Sequence, residues 1–128
     1  MKKILKRILS LSLAVMLCGT IFTMPSGVSV VEAAKVSYTG SSSFMSGKYY
    51  TQLTNVDITN NPRTNIVNIA KSQLGYQEGN ALGDYSGLVL GANNFTEYGL
   101  WYTQHTNPGY NYAGAQWCAM FVSWCAYV

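Results

Sequence analysis

Histidine occurs once in this chain, at His105, and cysteine three times. Five residues are acidic, and charged side chains make up 10% of the sequence. Each shortage excludes something. With one imidazole and no cysteine pair at ligand spacing, the sequence carries no transition-metal signature. The acidic residues are scattered along the chain, so no calcium loop is expected either. The expectation is therefore no metal and no cofactor. No apolar run reaches the roughly 20 residues that a helix needs to cross a bilayer.

What charge there is lies unevenly. Lys2, Lys3, Lys6 and Arg7 precede a mostly apolar run from Ile8 to Phe22, which Pro25, Ser26 and Gly27 end. Val31 and Ala33 then offer a cleavage site. This order predicts an export signal over residues 1–33, with the processed chain starting at Ala34. Cys18 follows Leu17 rather than a small residue, so lipoprotein processing is not expected. Once the signal is removed, Lys35, Lys48, Arg63 and Lys71 balance Asp57, Glu78, Asp84 and Glu97. The net charge of +3 is thus a targeting feature and gives no warrant for a nucleic-acid partner. The product is expected to be secreted, extracellular or wall-associated, with no stable membrane anchor.

Residues 34–60 are polar and biased, with Ser41, Ser42 and Ser43 in a row, and predict a linker. A short edge strand within Tyr49–Thr59 is the alternative. A domain is expected over residues 61–128. Asn61 can cap a helix, and Pro62 suits its first position. Ile66, Ile69, Ala70 and Leu74 recur at helical spacing, and Gly75 offers a left-handed stop. The spacing predicts a helix over Pro62–Leu74. Residues 75–94 read as loop, with Leu88, Val89 and Leu90 as one short buried stretch. Asn94 or Thr96 can cap a second helix over Phe95–Tyr102, followed by a loop around Asn107-Pro108-Gly109. The last element runs from about Gln116 to Val128 without a charge, which predicts a helix buried all round. It carries no closing signal, and too few partner elements are present to enclose it. The sequence therefore reads as cut short.

Cys118 falls in the first turn of that last helix. Free amides and the helix dipole there favour a thiolate, and the backbone amide can donate to an oxyanion. Gln116 is a candidate second oxyanion donor, and Trp117 a candidate cleft wall. From position alone, a small buried hydrophobe is the stronger reading of Cys118. Cys125 lies two helical turns further on, about 10 Å away, beyond disulfide reach of Cys118. Trp117, Phe121 and Trp124 are most simply core. His105 sits in a polar loop and reads as a solvated side chain.

The run AQWCAMFVSWCA at 115–126 resembles the nucleophile segment of CHAP-domain proteins, the cysteine, histidine-dependent amidohydrolase/peptidase family. IVNIAKSQLGYQEGN at 66–80 and NNFTEYGLWY at 93–102 fit the same group, as it occurs in secreted proteins of Gram-positive gut bacteria, in the same order. The resemblance implies an α+β papain-like domain of which the chain holds the N-terminal, mainly helical part. It implies a peptidoglycan hydrolase, amidase or endopeptidase, acting on peptidoglycan peptides, with Cys118 as nucleophile. The family's histidine and its orienting polar residue lie after the cysteine, so His105 is not carried over. Nor is the calcium that some members bind. A fragment without that base is expected to be inactive and poorly folded. Two further readings stand beside this one. The first is a non-catalytic wall-binding or adhesion module on the same scaffold. The second is a small complete exported helical protein.

Overall fold

The computed structural model describes residues 32–106 and 109–128. The predicted export signal lies outside the described residues, apart from Glu32 and Ala33, and so does the Asn107-Pro108 pair of the predicted turn. Five helices follow in order: α1 over Ser42–Met45, α2 over Lys48–Thr54, α3 over Pro62–Ser72, α4 over Glu97–Thr106 and α5 over Cys118–Tyr127.

The segment 34–60 is no linker. Val36, Tyr38, Phe44, Tyr49 and Leu53 all lie in the core, and residues 32–128 fold as one unit. The polar residues that suggested flexibility terminate helices instead. Ser41 Oγ accepts from the Phe44 amide at 3.3 Å and so caps α1. At the end of α2, Thr54 Oγ1 donates to the Tyr50 carbonyl at 3.1 Å, and Asn55 Nδ2 donates to the Thr51 carbonyl at 2.8 Å. Tyr49 and Leu53, four apart, put their side chains on one helical face, which is why Tyr49–Thr54 forms helix rather than an edge strand.

Asn61 caps α3 as the sequence suggests. Its Oδ1 accepts from the Arg63 and Thr64 amides at 3.1 and 3.3 Å. The helix ends at Ser72, short of the predicted Leu74. The amides of Gln73 and Leu74 turn to carbonyls three residues back, and Gly75 follows at φ +86°. That tighter turn rotates Leu74 to the surface, where it is 75% exposed, and buries Gln73. Gln73 Nε2 donates to the Tyr49 carbonyl at 3.1 Å, and its Oε1 accepts from the Tyr98 hydroxyl at 3.2 Å. One amide side chain thereby links α2, α3 and α4.

Helix α4 starts two residues later than predicted and ends four later. Thr96 Oγ1 accepts from the Gly99 amide at 3.1 Å. The predicted buried stretch at Leu88, Val89 and Leu90 is exposed, at 54%, 40% and 80%.

The expected α+β papain-like class is overturned. Among the described residues there is no sheet, only two isolated antiparallel bridges, Lys35–Asp57 and Gly79–Phe95. The first is closed by Val36 N to Val56 O at 3.1 Å and Ile58 N to Ala34 O at 2.7 Å, and extends no further. The core is built by aromatic rings brought together by helices and loops. Trp124 is its centre, fully buried, with Tyr98 at 4.9 Å, Tyr38 at 5.3 Å and Phe44 at 6.2 Å between ring centroids. Helices α3 and α4 both pack on α5.

Helix α5 is not buried all round. Met120, Trp124 and Cys125 face the core, while Cys118, Ala119, Val122, Ser123 and Ala126 are exposed. Apolarity alone hid a sidedness that is set largely by size. Met120 and Trp124 fill the core and most of the small side chains face water, with Tyr127, 59% exposed, as the exception among the wide ones.

Candidate functional site

Cys118 is the first residue of α5, and its thiol is free and exposed. No side chain caps this helix, so the amides of its first turn keep no helical partner and no side-chain partner. Negative charge developing at this end is favoured by the helix dipole. Cys125, on the inner face, is 2% exposed, and burial pushes its thiol up to about 12. The two sulfurs therefore differ in kind. One is reachable at an uncapped helix start, and the other is an inert core group. Both are free, as their separation along one helix requires.

Trp117 occupies the cap position with φ −100° and ψ 2°. Its indole N–H donates to Glu78 Oε2 at 2.9 Å. The ring packs on Tyr98, Phe121 and Tyr76, at 5.6, 6.2 and 6.5 Å between centroids. Trp117 is thus half-buried, backed by three rings, and stands beside the exposed thiol. Gln116 is exposed, and its side chain makes no hydrogen bond among the described residues. The structure fixes Trp117 and leaves Gln116 unconstrained.

Glu78 had no part in the sequence reading beyond its charge. Its bond to Trp117 spans 39 positions, and no local pattern announces such a pair.

His105 lies on α4, far from the thiol. Its Nδ1 is 2.8 Å from the Trp101 carbonyl, and its ring stacks on Trp101 at 5.1 Å and meets Tyr127 at 4.9 Å. Tyr127 is at the opposite end of α5 from Cys118, about 13 Å along the axis at 1.5 Å per residue. His105 therefore serves the far end of the helix. A groove of about 500 Å3 lies at that far end too, lined by residues that include Val36, Ile58, Ile66, Ile69 and Cys125.

Among the described residues, no group of three His, Cys, Asp or Glu side chains could hold a metal ion. No described helix is long and apolar enough to cross a membrane. No family model, no curated protein and no solved structure matches this chain.

Proposed function

We propose that Cys118 is the nucleophile of an exported cysteine amidase or peptidase that acts on peptidoglycan peptides. One observation carries this reading: the exposed thiol opens an uncapped helix whose other face is locked in an aromatic core. The likeness of residues 115–126 to a hydrolase nucleophile segment supports it. In this chemistry the thiolate attacks the amide carbonyl, the first-turn amides of α5 receive the oxyanion, and the amine leaves with a proton. Water then cleaves the thioester. A general base must reach the sulfur for turnover, and His105 does not.

The test follows from that limit and needs no turnover. A peptidoglycan stem peptide bearing a chloromethyl ketone in place of the scissile amide is incubated with the 128-residue chain. The thiolate displaces chloride and leaves a thioether that mass spectrometry locates. The expected result is modification at Cys118, none at Cys125, and protection by soluble muropeptides. Labelling that muropeptides do not compete would overturn the substrate class. Binding of intact wall that survives in Cys118→Ser, together with absence of labelling, would favour a non-catalytic wall-binding module.

A further inference from the structure

We propose that Glu78 is a positioning residue for Cys118, acting through the Trp117 indole. The inference rests on the reading of Cys118 as nucleophile, and it adds a residue that sets how the thiol is presented.

The start of α5 has few anchors. It lacks a side-chain cap. Among the described residues, the indole bond to Glu78 is the one hydrogen bond that ties residues 116–119 to another part of the fold. At 2.9 Å, with a carboxylate as acceptor, it belongs to the stronger, charge-assisted kind. Tyr98, Phe121 and Tyr76 meet the Trp117 ring tilted or edge-on, which confines it by shape but without a directional bond. The carboxylate supplies that directional bond, and Trp117 is the residue from which Cys118 leaves.

The other end of the link is anchored at the peptide bond that follows Glu78. The Gly91 amide donates to the Glu78 carbonyl at 2.8 Å, and the Gly79 amide donates to the Phe95 carbonyl at 2.7 Å. The chain around residue 91 runs so close that a Cβ on Gly91 would lie 2.6 Å from the Glu78 carbonyl oxygen and would collide with Gly79. The backbone is thus held where the Glu78 carboxylate departs, and that carboxylate meets the residue before an exposed thiol. The indole N–H is half-buried, and water could serve it.

Glu78→Ala removes the acceptor, and Trp117→Phe removes the donor while keeping a ring among Tyr98, Phe121 and Tyr76. Glu78→Gln keeps a carbonyl oxygen that can accept from the indole and tests rescue. Three readouts separate the roles. The first is the rate of Cys118 labelling by the stem-peptide chloromethyl ketone. The second is the rate with iodoacetamide, which demands little orientation. The third is the backbone order parameter of Cys118 and Ala119 from 15N relaxation, which does not depend on any substrate. Glu78→Ala and Trp117→Phe are expected to slow the directed reagent at least about tenfold, because small misplacement of a reacting atom is costly. They should change the iodoacetamide rate less than about twofold and lower both order parameters, while Glu78→Gln stays close to the parent. A fall in melting temperature with unchanged order parameters and unchanged directed rate would overturn the proposal and leave Glu78 a structural residue. If the parent chain shows no preference for the directed reagent, the nucleophile reading fails. The order parameters then still decide whether Glu78 fixes the start of α5.

Discussion

Glu97 is the most informative residue to perturb. Its side chain is 1% exposed at the first position of α4, and no basic group among the described residues pairs with it. Its carboxylate accepts from the Tyr38 hydroxyl at 2.9 Å, the Ser41 amide at 3.0 Å and the Ser41 hydroxyl at 2.6 Å. Ser41 in turn caps α1, so one carboxylate fastens the N-terminal segment to α4. A hydrogen bond to a charged group contributes about 1.5–3 kcal/mol net. The Tyr38 bond is buried and counts in full, whereas half-buried Ser41 can turn to water. Replacing Glu97 by Ala also relieves the desolvation of an unpaired carboxylate, which offsets part of the loss. The net expectation is a loss of about 3 kcal/mol, a large share of the 5–15 kcal/mol typical of a domain. Glu97→Gln keeps one acceptor and should lose about half as much.

The close approach of Gly40 provides an internal control. A Cβ there would collide with Glu97 Oε1 and come within 2.8 Å of the Tyr38 ring. Gly40→Ala should therefore destabilise the parent more than it destabilises Glu97→Ala, with a coupling energy above about 1 kcal/mol. Urea unfolding followed by tryptophan fluorescence measures all four corners of that cycle. A loss below about 1 kcal/mol for Glu97→Ala, or strict additivity with Gly40→Ala, would refute the latch.

Leu53→Ala should cost about 2–5 kcal/mol in the same assay, because Leu53 is fully buried; a linker residue would cost nothing measurable. Gly99→Ala should destabilise despite its helical site, because the new Cβ would lie 2.6 Å from the Tyr112 carbonyl oxygen; a neutral or stabilising result in thermal unfolding would contradict that crossing. Alkaline pH should unfold the protein. The Cys125 thiol is raised by burial from 9.0 to about 12, so its contribution is whole below 9 and is lost as pH rises towards 12. Burial raises the Tyr38 and Tyr76 hydroxyls as well, which adds to the loss at the top of that range. Cys125→Ala should flatten the pH–stability slope between 9 and 12, and an unchanged slope would speak against the buried thiol as its source.

What the sequence made legible was local. Asn61-Pro62 announced the start of α3, Thr96 that of α4, and Gly75 the turn after α3, because caps and stops act over three or four residues. Three kinds of feature escaped. Periodicity assigned Leu74 to the core, but one tightened turn exchanged it with Gln73. Composition assigned residues 34–60 to a linker, because serines that cap a helix and serines that stay flexible look alike. The five- and four-residue spacings from Phe44 to Tyr49 to Leu53 were the available hint. The carboxylates of Glu97 and Glu78 act on partners 39 to 59 positions away, and no short motif encodes such a distance.

The same division explains the site. That a cysteine falls in the first turn of the last helix follows from the uncharged run 116–128 and was readable without a structure; that it is the first helical residue was not. Whether it can do chemistry depends on what surrounds it in space. The one imidazole of the chain, only thirteen positions before the thiol in sequence, is carried by α4 to the opposite end of α5, where Trp101 and Tyr127 hold it. A carboxylate 39 positions before Trp117 arrives instead at the indole of the residue before the thiol. Sequence proximity would have paired Cys118 with His105, and packing pairs its neighbour with Glu78. For the proposed turnover at Cys118, a base would therefore have to be sought by distance from the start of α5, and labelling at the sulfur, not the chain's single histidine, is the measure of reactivity.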